Sequence, residues 1–230
     1  MGIYLILIGF MVLSMLVGLA LKNRFNAYSK IALRSGLSGR EIAERMLQEN
    51  GIYDVRVIST PGKLTDHYNP ADKTVNLSHE VYEGRSVAAA AVAAHECGHA
   101  VQHATAYSFL RFRSAMVPVV SFSSKIINIV FLVGMFGALA MNLFRLDMVL
   151  YVIIAAQATI TLFSLVTLPV EFDASRRALQ WLNRTGLTQG EEHTKATKAL
   201  TLAATTYVVA ALSAVATLLY YVMILMSRRD

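Results

Sequence analysis

Charge is what this 230-residue chain has least of: 16% of its residues are Asp, Glu, Lys or Arg, while 55% are hydrophobic. With a mean hydropathy of +0.49, that balance excludes an ordinary soluble domain and points to an integral membrane protein. Cysteine is nearly absent. Cys97 stands alone, so no intrachain disulfide can form, which fits a reducing compartment. Internal repeats, low-complexity stretches and flexible linkers are missing too, so the whole chain, 1–230, is expected to act as one membrane-integrated domain. The net charge of +6 needs no nucleic-acid partner. Basic residues flanking membrane spans and touching anionic lipid account for it.

What is present falls into long apolar runs. Residues 2–21 carry no charge and are as long as a spanning helix requires, roughly 20 residues. Lys22, Arg24, Lys30 and Arg34 follow this run rather than precede it. That order is the reverse of a signal peptide and predicts a retained anchor with its N-terminus outside. Further spans are predicted at about 126–144, 148–168 and 203–226, with a tight turn at Arg145-Leu146-Asp147 and the end of a span, or a kink, at Pro169. Thr188 is expected to cap the helix that enters the last span. With the N-terminus outside, 13 Lys and Arg between Lys22 and Lys125 lie inside, as do 5 between Arg176 and Lys198. Arg145, Arg228 and Arg229 lie outside. The positive-inside rule therefore predicts a multi-pass protein of the cell (inner or plasma) membrane, its polar parts (about 22–115 and 169–200) on the cytoplasmic face.

The first polar part opens with Ser38-Gly39-Arg40-Glu41, a capping box that starts a helix ended by Gly51. Residues 54–59 resemble a strand, and residues 64–78 a strand, a turn around Asn69-Pro70 and a second strand. The expected fold is mostly α: about four transmembrane helices plus a small α+β part, in which a short antiparallel sheet precedes the next helix. A sheet edge can hold an extended peptide.

That next helix, Ser86 to His103, is Ala-rich, with Ser86 as its cap. It contains His95-Glu96-Cys97-Gly98-His99. Residues four apart share a helical face, so both imidazoles can reach one Zn²⁺ at roughly 2.0–2.1 Å. Glu96, about 100° round the helix from His95, stands where a carboxylate can take a proton from water beside the metal. A zinc peptidase needs a third protein ligand. The metzincin pattern fails, because Gln102 and Thr105 occupy the offsets where it places Gly and His. His103 lies about 12 Å along the helix from His95, at roughly 1.5 Å per residue, too far to share the ion. The remaining candidates are carboxylates at the membrane surface. Glu171 follows the third span, and a hairpin of spans two and three returns it to the side it left. An ordinary interfacial glutamate is the plainer alternative, although an ionisable group so close to hydrocarbon is costly unless paired or coordinated.

The segments AVAAHECGHAVQ, LTDHYNP, LPVEFDASRRA and TYVVAALSAVATLL resemble the YugP family of bacterial membrane zinc metallopeptidases through nearly the whole chain. The layout of HExxH, membrane hairpin and Glu is also similar to the HtpX-type membrane gluzincins. The resemblance implies a zincin-like catalytic part, Zn²⁺ as cofactor, His95, His99 and Glu171 as ligands, and Glu96 as general base. It also implies protein or peptide substrates at the bilayer. HtpX-type gluzincins carry an Asp four residues after the ligand Glu. Here that position is Ser175, while Asp173 is rotated about 200° away, so the groups that orient the ligands stay open.

Asp66, His67, Ser175 and His193 are candidates for such support or for stabilising a transition state. Hairpin polarity explains Asp66 and His67 as well, and a solvated helix face explains His193. The chemistry expected is peptide-bond hydrolysis by metal-activated water. The rival reading is a zinc-stabilised membrane scaffold, binding a membrane-protein partner or a second copy of itself without turnover. An intramembrane protease is disfavoured because spans two to four contain no Asp. A transporter is disfavoured because the spans carry almost no charge.

Overall fold

The computed structural model describes residues 2–136 and 146–228. In chain order its elements are α1 (Gly2–Tyr28), α2 (Gly39–Glu49), β1 (Arg56–Thr60), β2 (His67–Asn69), β3 (Thr74–Ser78) and α3 (His79–Tyr82), then α4 (Val87–Ala104), α5 (Ser108–Phe136), α6 (Leu146–Arg184) and α7 (Glu191–Met226). The helices α1, α5, α6 and α7 are long and apolar enough to cross a membrane, as the apolar runs predict. Residues 137–145, which hold the end of the expected second span and Arg145, lie outside the described residues.

Contacts divide the chain into two compact units. One comprises Met1–Met15, Arg111–Leu168 and Tyr207–Asp230; the other comprises Leu16–Leu110 and Pro169–Thr206. In the first, apolar side chains line long helices, and several polar ones bond to main chain. The Gln157 amide donates to the Ala214 carbonyl at 3.2 Å. The Thr161 hydroxyl is 2.8 Å from the Gln157 carbonyl and 3.1 Å from that of Ala214.

Two helices extend beyond the predicted spans. The second span, expected from about residue 126, belongs to α5, which already begins at Ser108 and holds Pro118 inside it. At Pro169, where the end of a span or a kink is expected, the span does not end: α6 runs through it to Arg184. Pro169 leaves the Leu165 carbonyl without its helical N–H donor, a loss that long apolar helices tolerate.

The second unit is built on α2, α4 and a three-stranded sheet. The capping box of α2 forms: the Ser38 hydroxyl accepts from the Glu41 amide at 3.3 Å, and the Glu41 carboxylate accepts from the Ser38 amide at 2.7 Å. This starts the helix whose Ile42, Ala43, Met46 and Leu47 are buried in the core. The α4 alanines Ala88–Ala91, Ala93 and Ala94 are buried in the same cluster, where small side chains permit close packing. Ser86 caps α4 by accepting from the Ala89 amide at 3.2 Å.

The sheet is mixed rather than wholly antiparallel, in the order β1-β3-β2. β2 pairs antiparallel with β3, with Tyr68 opposite Val75. The turn between them is held by Asn69, whose side-chain oxygen accepts from the Ala71 amide at 2.9 Å. Because β2 takes one edge of β3, β1 occupies the other, and it runs parallel with Val57 opposite Val75. The central strand β3 is buried throughout. The short α3 separates it from α4. The cap expected at Thr188 also shifts: α7 begins at Glu191, after Gly190 with φ +54°, and Thr188 is buried.

Candidate metal centre

Two elements of the second unit supply the centre. α4 carries His95, Glu96 and His99 on adjacent turns, and α6 brings Glu171 against them just beyond Pro169. Gly98 makes this approach possible. A Cβ at that position would stand 2.5 Å from the Ala174 carbonyl oxygen on α6, a contact that main chain cannot yield cheaply. The glycine inside the HECGH sequence thus lets α6 lie directly on α4.

His95 Nε2 is 3.4 Å and His99 Nε2 3.6 Å from Glu171 Oε2. The three donor atoms lie within 4.8 Å of one another, and the two rings meet edge to face at 4.8 Å between centroids. Ligands arranged tetrahedrally at roughly 2.0–2.1 Å from a zinc ion stand about 3.3–3.4 Å apart. The donor set, two imidazoles and a carboxylate, and its two histidine-to-carboxylate separations fit Zn²⁺. Glu171 is 2% exposed and Glu96 8%, so the site sits in a shielded environment. Burial pushes the His99 imidazolium pKa down. Its contact with Glu171, the nearby Glu96 charge and the bond to Gln102 outweigh burial and leave the pKa raised. The pocket favours positive charge.

The far nitrogens of both rings are held. His95 Nδ1 is 3.1 Å from Ser175 Oγ, and His99 Nδ1 is 3.0 Å from Gln102 Oε1. Gln102 Nε2 donates to the Val170 carbonyl at 2.8 Å and to Asp173 Oδ2 at 2.9 Å. Asp173 also accepts from Arg177 Nε at 2.6 Å and from Arg176. The groups left open by the sequence are thus Ser175 for one histidine and Gln102, backed by Asp173, for the other. Sequence reasoning missed Gln102. Its signal was a buried-helix glutamine three residues after His99, where the next turn carries it past the same ring.

The remaining candidates lie elsewhere. Asp66 is turned to β3, where its carboxylate accepts from the Ser78 amide at 2.7 Å and the Ser78 hydroxyl at 3.0 Å. Burial raises its pKa, although those bonds oppose the shift. His67 is exposed, with Nδ1 2.8 Å from the Thr65 carbonyl. The two thus point apart, with Asp66 just before the start of β2. His193 Nδ1 is 3.1 Å from Thr188 Oγ1. It lines a cavity of about 320 Å³ between α6 and α7, which Ser175, Phe172, Leu179 and Leu200 also line. His103 pairs with the Tyr68 hydroxyl at 2.7 Å. Cys97 is buried with its Sγ 3.5 Å from the Ala43 carbonyl, and burial pushes its thiol pKa up. A reactive thiolate is disfavoured there.

Residues 3–226 match the sequence model of a family described as "Putative neutral zinc metallopeptidase". The chain is also 44% identical over 209 residues to a Bacillus subtilis (strain 168) protein named "Putative membrane protease YugP", an alignment covering 91% of this chain and 90% of that protein. No solved structure matches significantly.

Proposed function

The chain belongs to the neutral zinc metallopeptidase family, and from that membership and its His95–His99–Glu171 grouping we propose that it is a membrane-bound, zinc-dependent endopeptidase. The observation that carries this reading is the convergence of the three donor atoms, with the buried carboxylate of Glu96 on the same helix as both histidines. In this reading His95, His99 and Glu171 hold the ion. Zinc there supplies Lewis acidity to a substrate carbonyl and to water. Glu96 takes a proton from the attacking water as its oxygen bonds to the carbonyl carbon. It delivers that proton to the amide nitrogen as the carbon–nitrogen bond breaks. Substrates are unfolded or membrane-proximal segments, laid in extended form along the free edge of the sheet at β2. The surplus of Lys and Arg in residues 22–125 and 176–198 supports a site on the cytoplasmic face.

The decisive substitution is Glu96→Gln, assayed on the purified full-length protein with a peptide library and a metal determination. Zinc content should remain at the wild-type level while cleavage falls by about 10²–10⁴-fold, the range for losing a general acid–base group. An undiminished rate would exclude Glu96 as the base. Wild-type protein that holds stoichiometric zinc yet cleaves nothing would favour the scaffold reading instead.

A further inference from the structure

Gln102 has no exposed surface, and its surroundings permit one orientation of its amide. A carboxamide has an accepting oxygen and a donating NH₂. The Val170 carbonyl, 2.8 Å from one end, can only accept, and the Asp173 carboxylate at 2.9 Å accepts as well. The NH₂ must therefore face α6. The reversed amide would set oxygen against oxygen at both contacts. With its nitrogen end committed, Gln102 presents oxygen to His99 Nδ1 at 3.0 Å, and that contact is a hydrogen bond only if Nδ1 carries the proton. A neutral imidazole protonated on Nδ1 has its lone pair on Nε2, the atom 3.6 Å from Glu171 Oε2.

We propose that Gln102 is a positioning residue that selects the Nδ1–H tautomer of His99, keeping Nε2 open to the metal, and that Asp173 locks the amide in the orientation that does so. The inference rests on the metal-centre reading above for its purpose, but not for its geometry. Asp173 is itself held by Arg177 Nε at 2.6 Å and by Arg176, so the acceptor at the end of the relay is fixed in place. His95 is served differently. Its partner, the Ser175 hydroxyl at 3.1 Å, can rotate to donate or accept and imposes no tautomer. The two metal-facing histidines are thus unequal: one is chosen by its partner and the other is only accompanied.

Two measurements on the full-length protein in detergent test this. Nitrogen-15 spectra of histidine-labelled, zinc-free protein, taken at alkaline pH where the rings are neutral, should show His99 as Nδ1–H. They should show a tautomer mixture in Gln102→Met. Zinc affinity, measured by competition with a chromophoric chelator, should fall by about 10–100-fold in Gln102→Met, the usual loss when an outer-sphere partner is removed. Asp173→Ala should lose less. Asp173→Asn, whose amide oxygen can still accept from Gln102, should stay near the wild type. A purely structural role would not follow this graded order. His99 found as Nε2–H in the wild type overturns the proposal without recourse to any variant, as does unchanged zinc affinity in Gln102→Met. A wild type that binds no zinc overturns the metal-centre reading instead, and the tautomer result then still judges Gln102.

Discussion

Most of the long-range polar bonds among the described residues lie in one of the two units. In the unit of long apolar helices, Thr159, Ser164, Thr167 and Thr217 each donate to the carbonyl four residues back in their own helix. That habit suits a chain surrounded by lipid, where water offers no partners and a local acceptor is always within reach. The other unit makes such local bonds too, as at Thr105, Thr185 and Thr197, but around the site its polar groups also serve distant chain. Gln102 bonds residues 68 and 71 positions away, Ser175 meets a histidine 80 positions away, and the Trp181 indole donates to Glu49 across 132. Locally satisfied groups are nearly independent of one another. Gln102, Ser175 and Trp181 are each one half of a long-range pair, so removing one strands its partner. Substitutions in the site unit should therefore be costly and coupled, and those in the helical unit mild.

The sharpest break of that contrast is Glu171→Ala. It removes the α6 contribution to a donor set whose other two members lie on α4. Zinc binding should weaken by more than the roughly 10–100-fold typical of an outer partner, read by metal content of wild type and variant purified side by side. Full zinc retention would show that the α6 carboxylate is no ligand.

Gly98→Ala gives a smaller effect with a telling sign. Glycine inside an exposed helix normally costs about 0.5–1 kcal/mol relative to alanine, so the exchange would ordinarily stabilise α4. Here the added methyl meets the Ala174 carbonyl oxygen at 2.5 Å, and α6 must shift with Glu171 on it. Destabilisation of about 1–3 kcal/mol, the range for overpacking, is expected in denaturant unfolding of the zinc-free protein, with weakened zinc binding. A stabilised variant with intact zinc affinity would show that the close approach of α4 and α6 does not govern the site.

Gly98 also marks where legibility in the sequence ended. His95, Glu96 and His99 were readable because helical spacing alone places them together. Glu171 was approachable because a membrane hairpin has few places to return to. The reason for Gly98 was not readable, since it lies in an α6 carbonyl 76 residues away. Gln102 stayed silent for the same reason. Its spacing spoke only against the metzincin pattern, and its meaning depends on Val170 and Asp173. The mixed sheet was equally hidden: β1 shows its strand character locally, but its direction depends on which edge of β3 the hairpin leaves free. At Pro169 a local rule left two outcomes open, an ended span or a kink, and only the tertiary structure excludes the first, since α6 continues through it.

The mildest test probes the helical unit at the point where it most resembles the site unit. Gln157 departs from the local habit by bonding another helix, at the Ala214 carbonyl. That carbonyl has a second donor, the Thr161 hydroxyl at 3.1 Å, so Gln157→Leu would remove one partner without leaving the acceptor alone. Polar contacts between membrane helices average only about 0.6 kcal/mol. The variant should lose no more than about that much in equilibrium unfolding and bind zinc as tightly as the wild type. A loss several times larger, or any change in zinc affinity, would mean that Gln157 behaves like Gln102. The division would then run between local and long-range bonds, not between the two units. Thr159→Val would decide between these readings, because its single bond, to Ala155 at 3.1 Å, stays within one turn and should cost least of all.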